Sequence, residues 1–219
     1  MSEAKTTEGV VSTTVPTMST FPNLLEAKSV MKNGKPTGDP KFSINLEFKS
    51  DHADLGVLKA EAMKAAKAKW PGRDFKTNFQ WPFSSGDKLA DQAKAKGKDR
   101  EFSRGRTVLT SRSKYEPRLS AIVDGRLIDF EGSTRAAAKP YFYNGVEVLA
   151  QVNFVPYEGV GNGMDGVTAY LNMVLSLNKG DKLSGGGQSA AEVFKSYIGV
   201  SADTDPTAGM DPGDGMGDF

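Results

Sequence analysis

Residues 146–180 read VEVLAQVNFVPYEGVGNGMDGVTAYLNMVLSLNKG, two apolar-rich segments on either side of a glycine-rich connection. In the second segment Val167, Ala169, Leu171, Met173, Leu175 and Leu177 fall on alternate positions, the period at which side chains of a β-strand return to one face. The connection GVGNGMDG, residues 159–166, lacks the lysine and following helix of a phosphate loop, so it reads as a flexible hairpin link. Upstream, KFSINLEFKS (41–50) repeats the pattern, with Phe42, Ile44, Leu46 and Phe48 alternating with Lys41, Ser43, Asn45, Glu47 and Lys49. Shorter strands are predicted in GRTVLTSRS (105–113) and RLSAIVDGRLIDF (118–130). The second is folded at Asp124-Gly125, a type I′ hairpin signal. A like signal, Asn144-Gly145, stands between PYFY (140–143) and VEVLAQVNFVPY (146–157) and predicts another hairpin.

Between these strands lies an insertion, about residues 51–103. Asp51 or Asp54 can cap a helix through LGVLKAEAMKAAKAKW (55–70), whose apolar stripe is Leu55, Leu58, Ala62, Ala65 and Ala66 and which Pro71 and Gly72 stop. A second helix is expected from about Asp87 to Lys96, and a third in AAEVFKSYIG (190–199). Residues 1–20 read as a flexible arm that turns into a strand near Val15–Phe21. The fold class is therefore mainly β with inserted helices: an OB-like, antiparallel Greek-key barrel over residues 21–200, with a sandwich as the alternative left open by periodicity.

The 219 residues contain no Cys and one His, His52, with no apolar leader behind a basic start. No disulfide framework, secretory signal or membrane span is expected, and the compartment follows as cytoplasmic. Thiol chemistry is excluded, zinc lacks its ligands, and His52 beside Asp51 and Asp54 suits a capping role better than catalysis. No cofactor, metal or enzymatic activity is expected. The formal net charge of +1 hides an asymmetry. Asp203, Asp205, Asp211, Asp214 and Asp218 all lie in 201–219, so the rest of the chain carries +6.

The basic charge is concentrated. Residues 59–118 hold 16 Lys or Arg against 7 Asp or Glu, interleaved with Trp70, Phe75, Phe79, Trp81, Phe83, Phe102 and Tyr115. Single-stranded nucleic acid needs this pairing, since bases stack on aromatic rings while cations neutralise phosphates. The expected platforms are Trp81 with Phe79, Phe83, Tyr115, Tyr141 and Tyr143. The expected phosphate contacts are Arg104, Arg106, Arg112, Arg118, Arg126 and Lys139. Trp70, at a helix end before Pro71, can be buried instead, so between the two tryptophans the stacking role is assigned to Trp81.

The chain ends DPTAGMDPGDGMGDF (205–219), with too little apolar surface to offset the entropy of ordering, so disorder is expected from about Ser201. Asp211, Asp214, Asp218 and the terminal Phe219 form an acidic thread with one aromatic anchor, suited to a basic pocket with an apolar floor on a partner.

Taken together, the block from Tyr141 to Gly186, with its FYNG turn, long strand, glycine-rich connection and GVTAYLNMVLSLNKGDKL, resembles a bacteriophage single-stranded DNA-binding protein family with an OB-fold. The tail resembles the acidic, Phe-terminated tails of phage and bacterial single-strand binders. The resemblance implies coating of single-stranded DNA with little sequence preference in phage replication, recombination and repair within the bacterial host cytoplasm. It also implies recruitment of replication or recombination proteins through the tail, and it leaves a homo-oligomer open. Two rival readings remain: a protein-interaction or adaptor barrel that binds no nucleic acid, and an active strand-annealing protein.

Overall fold

The computed structural model describes residues 9–32, 35–160 and 163–183. In chain order the strands and helices are β1 (Val10–Ser12), β2 (Thr17–Lys32), β3 (Lys35–Lys49), α1 (Ala53–Lys69), β4 (Phe83–Ser85), α2 (Gly86–Lys94), β5 (Arg106–Ser113), β6 (Arg118–Val123), β7 (Arg126–Phe130), β8 (Glu147–Tyr157) and β9 (Gly166–Ser176). Short 3₁₀ segments occupy Glu101–Ser103 and Gly132–Tyr141. The helix expected at 190–199 and the tail lie outside the described residues.

Five strands close a ring in the order β2-β3-β5-β9-β8 and back to β2. This is the barrel expected of an OB-like fold, with one geometric refinement. An odd number of strands cannot alternate direction all the way round, so one neighbouring pair must run parallel. The parallel junction lies at β9, which meets β5 through Ser111 and Ala169 and meets β6 through Arg118–Ala121 against Met173–Ser176. The β6–β7 hairpin continues the sheet beyond the ring, and β1 adds to β8. The strand expected near Val15–Phe21 forms as the start of β2 at Thr17, whereas residues 10–12, read as part of a loose arm, are strand as well: Val11 is buried, and β1 pairs with β8 from Val10 to Ser12.

Ile44, Leu46, Phe48, Leu109, Val148, Val152, Ala169 and Leu171 fill the core, and α1 contributes Leu55, Leu58, Ala62 and Ala66 while packing on β8 and β9. The α1 cap is neither aspartate. His52 takes the N-cap, its Nδ1 accepting from the Asp54 N–H at 3.2 Å. Asp54 instead accepts from the Thr14 and Val15 N–H groups at 2.8 and 2.9 Å, fixing the turn into β2.

Two strand expectations change. A register shift between Gln151 and Val152 leaves one extra residue on β9, because Val152 faces Leu171 while Gln151 faces Met173. The bulge flips the inward face. Val167, Ala169 and Leu171 point into the core as expected, but Val174 and Ser176 replace Met173 and Leu175 there. The second hairpin is also absent. Pro140 has no N–H for a ladder, and PYFY ends a 3₁₀ segment instead of forming a strand. Gly145 has φ +98, and its N–H reaches the Ser19 carbonyl at 2.8 Å; a Cβ there would meet the Asp181 carbonyl oxygen at 1.9 Å. The Asp124-Gly125 turn does form, with φ +49 and +75 between β6 and β7, as a type I′ turn requires.

Candidate nucleic-acid interface

Alternation that sends Ile44, Leu46, Leu109 and Ser111 inward sends Lys41, Ser43, Asn45, Thr110 and Arg112 outward. On the same principle Thr168 and Tyr170 leave β9 outward between Val167, Ala169 and Leu171. These outward residues line two depressions of about 310 and 580 Å³ that share Lys41, Thr110 and Arg112, so the two form one continuous groove. Short polar bonds hold its floor: Thr110 Oγ1 donates to Asn45 Oδ1 at 3.0 Å, and Asn23 Nδ2 donates to Ser43 Oγ at 3.2 Å.

One half of the groove is basic. Lys28 and Lys41 stand directly opposite each other across β2 and β3, and Arg112 lines the same depression, as does Asp39. Among the described residues none of these three cations has an ion-pair partner. Like charges facing across a strand pair repel, and an anion between them turns that repulsion into attraction.

The other half is aromatic, with Trp81, Tyr157 and Tyr170 on its walls. Trp81 belongs to a cluster of edge-on and tilted rings, 4.7 Å from Phe79 and 5.9 Å from Phe75. Arg73 sits 5.4 and 5.3 Å from the ring centres of Trp70 and Phe79. The Tyr157 hydroxyl donates to Gln80 Oε1 at 2.8 Å, and burial, with Asp165 after it, pushes its pKa up.

Of the residues expected from sequence to touch nucleic acid, Trp81 and Arg112 line this groove. Phe79 and Phe83 pack against the core, Phe83 on Phe154 at 5.9 Å. Arg104 is tied to Glu101 and Asp91, whose carboxylates hold its guanidinium more firmly charged than usual. Arg106 donates to the Phe102 carbonyl at 3.1 Å. Tyr141 stacks on Phe130 at 5.5 Å, and the Tyr143 hydroxyl donates to the Gly180 carbonyl at 3.0 Å. Arg118 lines a separate depression of about 310 Å³ with Leu127, Asp129 and Met173. Tyr115, Arg126 and Lys139 are exposed outside the groove. Asp211, Asp214, Asp218 and Phe219 lie outside the described residues. Sequence reasoning missed Lys28, Lys41, Tyr157 and Tyr170. The signal for Lys41 and Tyr170 was present, since both occupy outward positions of strands whose inward positions were recognised.

A family model described as the ssDNA-binding protein of Enterobacter phage Enc34 matches residues 10–205. No curated protein matches the chain. Among solved structures, the C-terminally truncated single-stranded DNA-binding protein from bacteriophage Enc34 is 17% identical with a TM-score of 0.61, covering 80% of this chain and 89% of its own. The same phage protein in complex with ssDNA is 18% identical with a TM-score of 0.59, covering 82% of this chain and 90% of its own. At such identities the structural likeness speaks for the fold, whereas the family match runs through nearly the whole sequence. On that match, this chain belongs to the family of the phage Enc34 ssDNA-binding protein.

Proposed function

We propose that this protein binds single-stranded DNA in the groove across β3, β5 and β9. The carrying observation is the convergence of Lys28, Lys41 and Arg112, without acidic partners among the described residues, beside the aromatic wall of Trp81 and Tyr170. Cations answer phosphates and rings answer bases, and neither reads base identity, so binding has little sequence preference. The groove is a binding surface and not a reaction centre. Membership of a phage ssDNA-binding family supports the same reading, as does the ssDNA complex of the phage Enc34 protein. Among the described residues no helix is long and apolar enough to cross a membrane.

In this role the protein coats single strands exposed during phage replication, recombination and repair in the host cytoplasm, and its acidic tail brings replication or recombination proteins to them. Titration of fluorescent oligo-dT and of a duplex of equal length at two salt concentrations tests the central claim. Single strands should bind far more tightly, and log K should fall with log salt by about 0.7 per phosphate contacted, hence by several units in all. Equal affinity for duplex, or no response to salt, overturns it.

A further inference from the structure

Four non-glycine residues among those described have positive φ: Asn78, Asp124, Asn178 and Phe21, at +49°. Asn and Asp tolerate the left-handed region because their side chains bond locally to the backbone, whereas phenylalanine has no such compensation. Strain of this kind is kept where the surroundings over-determine it, and it clusters at ligand-binding positions.

The surroundings of Phe21 do over-determine it. Its N–H donates to Asn144 Oδ1. Pro22 follows, which cannot donate to the ladder, and the β2–β3 register shifts between Thr20 and Asn23, a bulge that re-aims the side chain. The re-aimed ring is not buried. It stays 45% exposed and lines the basic half of the groove, where it is the one aromatic among the described lining residues.

The ring is also backed. The Arg100 guanidinium lies 5.0 Å from its centre. Arg100 is itself locked by Glu47 Oε1 at 3.1 Å and Ser103 Oγ at 3.0 Å, with Glu47 fully buried. A planar cation pinned at its nitrogens therefore holds the phenyl ring from one side.

We propose that Phe21 is a base-stacking platform for the basic half of the groove, with Arg100 as its positioning residue. The inference rests on the single-strand binding argued above. A nucleotide whose phosphate sits between Lys28, Lys41 and Arg112 carries its base next to this ring, and Trp81 serves the other half in the same way.

The test compares oligo-dT binding by the full-length chain with Phe21→Leu and Phe21→Tyr at several salt concentrations, with thermal melts of each. Leucine keeps apolar bulk but has no π-face. Phe21→Leu should bind about 5- to 150-fold more weakly, the range a lost stacking contact spans, with an unchanged salt slope because no charge is removed, and Phe21→Tyr should restore the affinity. Wild-type affinity in Phe21→Leu overturns the platform while leaving the groove intact. Failure of the unsubstituted chain to bind oligo-dT overturns the functional reading instead. If Phe21→Leu melts early, ultraviolet crosslinking of the unsubstituted chain to oligo-dT decides: an adduct on Phe21 supports the platform, and adducts confined to other aromatics overturn it.

Discussion

Arg73 donates to Asp165 at 2.5 Å, tying the aromatic insertion to the glycine-rich connection 92 residues further along the chain. The second carboxylate oxygen accepts from the Gly159 N–H at 2.9 Å, and the Gln80 N–H donates to the Asp165 carbonyl at 2.9 Å. One acidic residue thereby secures the wall that presents Trp81 and Tyr157 to the groove.

The Arg73 hydrogen bond, and after it the Gly159 N–H, hold the Asp165 carboxyl below its ordinary value of 3.8. A depressed folded-state pKa gives stability that is present above 3.8 and is lost as pH falls through the folded-state value. Asp165→Asn should therefore melt earlier than the unsubstituted chain at pH 7. The gap should hold to about pH 5 and then close with further acidification. A gap independent of pH in melts followed by circular dichroism refutes the assignment.

Glu47 is fully buried, and its Oε1 accepts from Arg100, Thr20 and Ser103. Removing Arg100 strands that carboxylate, so Arg100→Ala should cost about 3 kcal/mol in urea unfolding. Glu47→Gln should cost less, because the amide keeps the side-chain shape and Arg100, whose side chain is 14% exposed, can turn toward water. The reverse order would refute the stranded Glu47 carboxylate as the cause of the cost.

In the groove, Lys41→Gln and Arg112→Gln should each reduce the salt slope of oligo-dT binding by about 0.7, as expected when one phosphate contact is lost. Arg104→Gln, whose guanidinium is already occupied by Glu101 and Asp91, should leave the slope unchanged. Equal effects from all three would place the strand elsewhere on the protein.

Deleting residues 201–219 takes the formal net charge from +1 to +6 by removing five aspartates. Affinity for single strands should rise, most clearly at low salt, while Phe219→Ala should leave it nearly unchanged and weaken capture of replication proteins. A pull-down in which the unsubstituted chain, Phe219→Ala and the deletion capture the same proteins equally would reduce the tail to a solubilising segment.

Local pattern was enough for much of the fold. Alternation at Phe42–Phe48 and Val167–Leu171 identifies barrel strands, because a strand with one buried face has no other way to write itself. The apolar stripe from Leu55 to Ala66 marks α1, and Asp124-Gly125 marks its hairpin, since both depend on neighbours within a few residues. Composition showed that cations and rings coexist, but not which of them share a surface. That was settled by contacts between segments far apart in the chain. Arg104 and Arg106 looked as available as Arg112 until α2 and the 3₁₀ turn brought Asp91, Glu101 and the Phe102 carbonyl against them. Glu47, at an outward strand position, became buried because Arg100 and Ser103 cover it from 53 and 56 residues away. The bulge at β9 inverted the face of Met173 and Leu175, and only pairing with β8 reveals it. The opposition of Lys28 to Lys41 likewise exists only through the β2–β3 register. Periodicity reports which side of its own strand a residue occupies; the ring closure decides what stands across from it.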